Sequence, residues 1–404
     1  NYSSDEAKLV SDLLRRYRSH RNLARPLLNA SSTMILYFGV ILIQILDFDE
    51  KNHMLTTLVW KKYVWKDDIL TWNPKDYGGV DMVILPGEKV WIPDIILYNN
   101  VGDSEVEQHK NNIMLSADYN GSVLWIPPVK YESSCPVDMT DFPFDEQTCE
   151  LRFGSWSYDA KKLDLMFAEG IEGFDMDQYV PNSEWEILAN TAEKRYMKYP
   201  CCVNPYVDVT YRVTVRRTMT FHMRLILVPT AILSAMSAAV FWIPLQRPDR
   251  TVLGLSLFSS FFLLLILVVN SSPPTAAARL GQFYIIIILL VSLGVILSII
   301  TINIAQTRRK MPVCVEKVFI NVLGLILLVS KEDYRRKVSG AKQDKFRYDA
   351  SDGAVIPNEP EINSAKWRTF ALVLDRIFFL IFFVLLVLSF ACVFPKPEKL
   401  FELF

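Results

Sequence analysis

Residues 251–269 read TVLGLSLFSSFFLLLILVV, without a charged side chain from end to end. The hydrocarbon core of a bilayer is about 30 Å thick and a helix crosses it with roughly 20 apolar residues, so this stretch reads as a membrane-spanning helix. Three further runs share its character: Leu225–Leu245, Phe283–Ile304 and Ile377–Phe394. The chain has 404 residues, 51% of them hydrophobic, and the apolar excess lies beyond residue 220. That length allows two or three domains, and the four runs make the C-terminal part a four-helix transmembrane bundle. The net charge of −1 identifies no partner, and no basic stretch interleaved with aromatics points to nucleic acid.

The flanks orient the spans. Arg247 and Arg250 lie in the short connection between the first two runs, and Arg308, Arg309, Lys310, Lys331, Arg335, Arg336 and Lys337 follow the third. The positive-inside bias puts both connections in the cytoplasm and both termini outside. Asn-x-Ser acceptors at Asn1, Asn29 and Asn120 suit an external N-terminal half, with Asn29 and Asn120 the expected glycosylation sites. No signal-peptide pattern stands at Asn1, so a processed or trimmed product is expected.

Residues 1–217 carry one amphipathic helical stretch, near Glu6–Arg18, and then strand signals. The segments TMILYFGVILIQILDFD (33–49), LTTLVWKKYVW (55–65), SVLWIPPV (122–129), CELRFGSWSY (149–158) and YVDVTYRVTVRR (206–217) are rich in β-branched and aromatic residues, with turn residues between them. Such strands over roughly 200 residues point to an all-β sandwich of immunoglobulin-like kind. The expected architecture is therefore multidomain: an extracellular sandwich with an N-terminal helix over 1–217, and three spans in 218–306 with one at 251–269. A cytoplasmic connection (307–366), a fourth span (367–394) and an external tail (395–404) follow. Within the connection, VCVEKVFINVLGLILLV (313–329) is too short to span and reads as an amphipathic helix at the inner interface. Gly340–Ser364 is polar and reads as irregular.

Of six cysteines, Cys135 and Cys149 enclose thirteen residues, Cys201 and Cys202 touch in KYPCCVNPY (198–206), and Cys314 and Cys392 fall on the cytoplasmic and membrane side. An external, oxidising location leaves two natural disulfides. Adjacent cysteines close only a strained ring, far from the Cα separation of about 5.5 Å that relaxed bridges prefer, and two neighbouring free thiols are the competing reading.

CPVDMTDFPFDEQTC (135–149), with Phe-Pro-Phe-Asp at 142–145, resembles the signature of the Cys-loop pentameric ligand-gated channels. The pair Cys201-Cys202 resembles the mark of nicotinic acetylcholine receptor α-type subunits. The likeness continues from RPLLNAS (26–32) through WKKYVWKDDILTWNP, WIPDIILYNN, GSWSYD and the four spans in order. It implies disulfides Cys135–Cys149 and Cys201–Cys202, a pentamer of identical or related subunits, and a postsynaptic plasma membrane location. By the same likeness the cytoplasmic connection is short, as in a trimmed loop.

The expected ligand chemistry also stands without the family. A quaternary ammonium cation has no N–H to donate, so its recognition falls to the electron-rich faces of aromatic rings. The candidates are Tyr98 in ILYNN, Trp156 in GSWSYD, Tyr199 and Tyr206 beside the cysteine pair, and Trp60 in LVWKK. The resemblance assigns Tyr98, Trp156, Tyr199, Cys201, Cys202 and Tyr206 to the principal face of a subunit interface. It assigns Trp60, Leu124 and Ile126 to the complementary face. Trp65 and Trp72 read instead as core packing. One chain carries both faces, so a homopentamer can close as a ring without a second sequence.

Stepping at helical spacing from Val252 gives Ser256, Ser259, Leu263, Ile266 and Asn270, a stripe polar in its inner half and apolar above. By resemblance this stripe lines a pore, and Asp249 at its inner mouth would form a ring of carboxylates that favours cations. Small-residue helix packing is the competing account of the serines. Asp249 stands where nicotinic channels usually carry glutamate, Ser259 where they carry leucine, and Asn270 where they carry an acid, which argues against strong calcium permeability. These departures resemble the divergent invertebrate subunits, some of which answer to choline or betaine. The resemblance also implies a coupling contact between Glu50 and an arginine of the pair Arg216-Arg217, with Phe142 and Pro143 near NSSPPT (270–275).

Two other classes compete. An anion-selective channel of the same architecture is opposed by Asp249. A non-channel receptor or enzyme lacks support: the sequence has no Gly-rich phosphate loop, no metal-ligand cluster among its four histidines and no G-x-S-x-G. Neither a cofactor nor a metal is expected; permeant cations and membrane lipid are the other partners implied.

Overall fold

The computed structural model describes residues 4–20, 23–102, 113–142, 144–168, 173–218, 221–245, 249–271, 279–327 and 359–393. These fall into two compact units, one of Asn1–Asp138 with Phe144–Thr218 and one of Met139–Pro143 with Met219–Phe404.

In the first unit, helix α1 (Asp5–His20) begins with acidic residues in its first turn, which suits the positive end of the helix dipole. Its Leu9, Leu13 and Tyr17, spaced by four, form one buried stripe. The Tyr17 hydroxyl donates to the Asp67 carboxylate, which also accepts the backbone N–H of Ile69 at 2.8 Å and of Leu70 at 3.1 Å.

Eleven strands follow among the described residues: β1 (Met34–Asp49), β2 (Met54–Thr71), β3 (Met82–Pro86), β4 (Ile95–Leu97), β5 (Met114–Asp118), β6 (Asn120–Trp125), β7 (Pro128–Ser134), β8 (Glu146–Ser155), β9 (Leu163–Phe167), β10 (Trp185–Met197) and β11 (Tyr206–Arg217). One sheet runs β3-β5-β6-β2-β1-β9, with β7 also paired to β2; the other runs β10-β11-β8-β4. Together they form the sandwich. In β1 the residues Met34, Leu36, Phe38, Val40 and Leu42 alternate inward. Irregularities between Leu42 and Gln44 and between Ile45 and Asp47 then shift the phase, so that Ile45 and Phe48 are the next to be buried. Trp65 and Trp72 are core residues: Trp65 meets the Trp91 ring edge-on at 6.0 Å, and the Trp72 indole N–H donates to the Val80 carbonyl at 2.7 Å.

The second unit is helical: α2 (Phe221–Ala239), α3 (Asp249–Ser271), α4 (Arg279–Ala305), a short helical segment α5 over residues 313–326, and α6 (Glu359–Val393). Among the described residues three apolar stretches are long enough to cross a membrane, Asp249–Val269, Gly281–Ala305 and Asn363–Ala391. The first expected span is shorter. Its α-helix ends at Ala239 and a single tighter turn, Val240–Trp242, leads to an extended Ile243, because Pro244 disfavours helix in the residue before it. The final helix corrects the sequence reading in the other direction. It starts at Glu359, inside the stretch expected to be irregular, and Lys366 holds Glu316 of α5 at 2.7 Å while the Trp367 indole donates to the Arg309 carbonyl at 2.7 Å. Within α5, Glu316–Leu323 is wound as a π-helix.

Asp67 is fully buried, and burial pushes its carboxyl up to about 6 against the hydrogen bonds it accepts. A carboxyl whose folded pKa exceeds the unfolded value of about 3.9 binds its proton more tightly in the native state. The stability it contributes is complete below about pH 4 and is lost as the pH rises through about 6. Asp67→Asn, which retains an acceptor for the two backbone donors, should therefore gain on the wild type in thermal midpoint between about pH 4.5 and about pH 7.5. A difference that stays constant over that range would show the carboxyl to be ionised throughout.

Candidate ligand site and pore face

Cys135, just after β7, and Cys149, in β8, are both buried and disulfide-bonded with Cα atoms 5.0 Å apart. Cys201 and Cys202 are bonded to each other in the turn between β10 and β11. That turn is tied down: the Cys202 N–H donates to the Tyr199 carbonyl at 3.1 Å, Asn204 Nδ2 to Asp159 Oδ2 at 2.8 Å, and the Ala160 N–H to the Pro205 carbonyl at 2.9 Å. The last two bonds join it to the segment that follows Trp156.

The Tyr199 and Tyr206 rings meet edge to face at 5.9 Å. Tyr98, next to β4, donates from its hydroxyl to the Ser155 carbonyl at 2.9 Å. Burial, then the nearby Tyr199, Asp208 and Asp94 groups, push its phenol above the usual value, so it stays a neutral donor. Trp156 follows β8 with 72% of its surface exposed. Its loop is held by Asp94, which accepts from Ser155 Oγ at 2.6 Å and from the Ser157 N–H at 2.7 Å. The four rings thus come from the same end of the β10-β11-β8-β4 sheet, with Tyr199 exposed and Trp156 largely uncovered. A cation placed there would meet ring faces; Asp208, one of the carboxylates that act on the Tyr98 phenol, is buried with Arg152 Nη2 3.5 Å from it.

Trp60, Leu124 and Ile126 are half-buried on the other sheet. Trp60 stands opposite Pro128 and Val64 opposite Leu124 in the antiparallel ladders of β2, so Trp60 and Leu124 share its outward face. Within one subunit they are not brought to the four rings. Asn29 and Asn120 are exposed.

Of the expected coupling residues, Arg217 bridges Glu50 at 2.7 Å and Asp145 at 2.9 Å, nine-tenths buried and stacked on the Trp185 ring at 4.3 Å. Arg216 pairs elsewhere, with Glu186 at 2.7 Å. Phe142 is buried and belongs to the helical unit. Pro143 and residues 272–275 lie outside the described residues, as does Asn1.

In α3 the buried side chains are Arg250, Leu257, Phe261 and Val268. Counting about 100° per residue from Arg250, these lie within roughly 40° of one another, whereas Val252, Ser256, Ser259, Leu263 and Ile266 fall roughly 160° to 240° round the helix. All five of that stripe are exposed, Val252 at 66% and Leu263 at 67%. Asp249 is exposed too, at the first turn; the side chain of Asn270 lies outside the described residues. Ser260 is less exposed than Ser259, and both hydroxyls donate back to helix carbonyls.

Sequence reading assigned no role to Asp94, Gly154, Asp145 or Asp375, and took Arg250 as a charge of the connection between the first two spans, whereas it lies buried in the first turn of α3. Asp94 and Asp145 stood inside quoted motifs, WIPD and FPFD, where a carboxylate next to a turn was the available signal. Gly154 gave none.

Residues 6–219 match the neurotransmitter-gated ion-channel ligand binding domain and residues 226–359 the neurotransmitter-gated ion-channel transmembrane region. The chain belongs to this family, as a Cys-loop subunit of the nicotinic acetylcholine receptor α type. It is 34% identical over 380 residues to acetylcholine receptor subunit alpha-like 2 of Drosophila melanogaster, covering 89% of this chain and 64% of that one. It is 33% identical over 323 residues to neuronal acetylcholine receptor subunit alpha-3 of Homo sapiens, with 78% and 63% covered. With acetylcholine receptor subunit alpha-type unc-63 of Caenorhabditis elegans the identity is 32% over 358 residues, with 81% and 70% covered. The chain thus spans less than two thirds of the length of the first two.

Gly154 is where a small change should reach the rings. A Cβ there would come within 2.6 Å of Tyr98 Cζ, so Gly154→Ala must displace the phenol from its place between Ser155 and the tyrosine pair. Binding of a labelled quaternary ammonium to the purified protein should weaken by about tenfold, a loss of roughly 1.4 kcal/mol, at unchanged thermal midpoint. Equal affinity would mean that Tyr98 does not touch the cation.

Proposed function

We propose that this chain is one subunit of a pentameric, cation-selective channel of the plasma membrane, opened by a quaternary ammonium neurotransmitter such as acetylcholine, choline or betaine. The observation that carries the reading is the set of four rings, Tyr98, Trp156, Tyr199 and Tyr206, gathered at one end of a sheet under a loop stiffened by a vicinal disulfide. Ring faces attract a cation that cannot be hydrogen-bonded, by roughly 1 to 2 kcal/mol per well-placed ring. Trp60, Leu124 and Ile126 would close the site from a neighbouring subunit, in a pentamer of identical or related subunits; since one chain has both faces, identical copies suffice to close the ring. Both termini are extracellular, Asn29 and Asn120 carry glycans, and the site is synaptic.

The conducting path in this reading follows the exposed stripe of α3. Asp249 supplies the charge ring at the inner mouth, Ser256 and Ser259 the wettable portion, and Leu263 and Ile266 the apolar constriction that gates by dewetting. Asn270 stands at the outer end. Glu50, Arg217 and Asp145, with Phe142 and Pro143, carry the movement of the binding unit toward the pore. The same architecture with anion selectivity is the alternative, which the acidic residue at the inner mouth disfavours.

Expression of the chain alone should give agonist-evoked currents whose reversal potential is unmoved when chloride is replaced; a shift following chloride would identify the anion channel. Trp156→Ala should raise the half-maximal agonist concentration at least about tenfold at normal surface level, from the loss of one ring face.

The pore assignment makes a separate claim. Asp249→Ala should lower single-channel cation conductance, and Ser259→Leu should make opening harder by adding an apolar side chain from each subunit at a narrow point. Ser260→Leu, about 100° round the helix, should do much less. A larger effect at Ser260 would shift the pore stripe by one residue.

A further inference from the structure

Arg250 has no exposed surface at all, although it follows the exposed Asp249 directly in the first turn of α3. Its guanidinium makes two parallel hydrogen bonds to Asp375 of α6, Nη1 to Oδ2 at 2.7 Å and Nη2 to Oδ1 at 2.6 Å. Asp375 lies within the apolar stretch Asn363–Ala391, almost as deeply buried as its partner. The Phe241 ring covers the guanidinium at 5.6 Å, and Phe241 in turn packs on Phe382 at 5.0 Å. Arg376, the next residue, stacks on Trp242 at 3.6 Å. One turn above Arg250, Gly254 lets α4 approach so closely that a Cβ would meet Val295 Cγ2 at 2.8 Å.

Charged side chains inside a membrane are costly, and where they persist they are paired and tied to function. A buried ion pair is moreover a poor way to gain stability, since apolar residues of similar size often serve as well or better. What a bidentate pair does give is direction: the planar fork of arginine accepts a carboxylate in one orientation. We infer that the Arg250–Asp375 pair fixes the rotational setting of α3, so that helix α6 keeps Asp249 and the Val252-to-Ile266 stripe turned to the pore. The geometry is direct: with Arg250 locked toward α6, the stripe centred roughly 200° away has no choice but to face the opposite side. Arg250 and Asp375 are therefore positioning residues, acting on permeation through Asp249 without touching the ion.

This inference rests on the channel reading, and the test separates the two. The double variant Arg250→Met with Asp375→Leu removes both charges together, so it leaves no unpaired buried ion and should keep the thermal midpoint of the purified protein close to that of wild type. Its single-channel cation conductance should nevertheless fall at least about threefold and its cation-to-anion permeability ratio should drop, as the carboxylate ring loses alignment. The exchanged pair Arg250→Glu with Asp375→Arg should recover conductance to within about twofold of wild type, because the same fork can form in reverse. Unchanged conductance and selectivity in the Met/Leu variant overturn the proposal, and so does an exchanged pair no better than the Met/Leu variant. If the wild type carries no agonist-evoked current, the channel reading fails on its own. The anchor is then decided in purified protein by placing Asp249→Cys in each background and timing its reaction with a charged methanethiosulfonate. The rate should differ at least about fivefold between the paired and the Met/Leu backgrounds if the setting of α3 moves. Equal rates overturn it.

Discussion

Phe38 lies fully buried between three other rings, Tyr63 at 5.2 Å, Phe153 at 5.3 Å and Tyr211 at 6.3 Å. The four come from β1, β2, β8 and β11, two from each sheet, so this aromatic contact is where the sandwich closes. Tilted and edge-on rings at such distances add about 0.5 to 1.5 kcal/mol per pair beyond the area they bury. The strand alternation that turns Phe38, Tyr63, Phe153 and Tyr211 inward also turns their neighbours outward. Trp60 and Arg152 take their faces from that one registry, and a slip of one residue would exchange core for surface.

The four candidate rings sit where this registry runs out. Tyr98 and Trp156 stand just past strand ends, Tyr199 in the turn between two strands and Tyr206 at the last rung of the β10-β11 ladder, opposite Met197, so the ladders give them little support. Short polar ties do that work: Asp94 on the Trp156 loop, Asp159 on Asn204, and the Ser155 carbonyl on Tyr98. At the other end of the sandwich, Arg217 is pinned between two carboxylates against Trp185, a buried arrangement whose disruption would leave an unpaired charge and cost about 3 to 5 kcal/mol.

In the helical unit the constraint is the bilayer. Lipid offers no hydrophobic drive for helices to associate, so contact depends on small residues and polar links. Gly254 facing Val295, Gly294 where a Cβ would lie 3.2 Å from Phe382 Cε1, and Arg250 on Asp375 supply both kinds among α3, α4 and α6. The exposed stripe of α3 is what this packing leaves uncovered.

Much of this was legible in residue order alone. The spans follow from local hydropathy, and the strands β1, β2, β6, β8 and β11 from local alternation, because burial of those segments repeats at the period of their own secondary structure. The exposed stripe of α3 could be counted from Val252, and the candidate rings named, because each lay in a short recognisable stretch. Strand β10, WEILANTAEKRYM, could not be read in this way: most of it is exposed, its composition suits helix as well as strand, and its pairing to β11 decides its state. The choice of Arg217 over Arg216, the bond of Arg250 to a residue 125 positions away, and the dependence of Tyr98 on a glycine at 154 belong to the tertiary structure. Each depends on which side chains meet across elements distant in sequence, and no local period encodes that meeting.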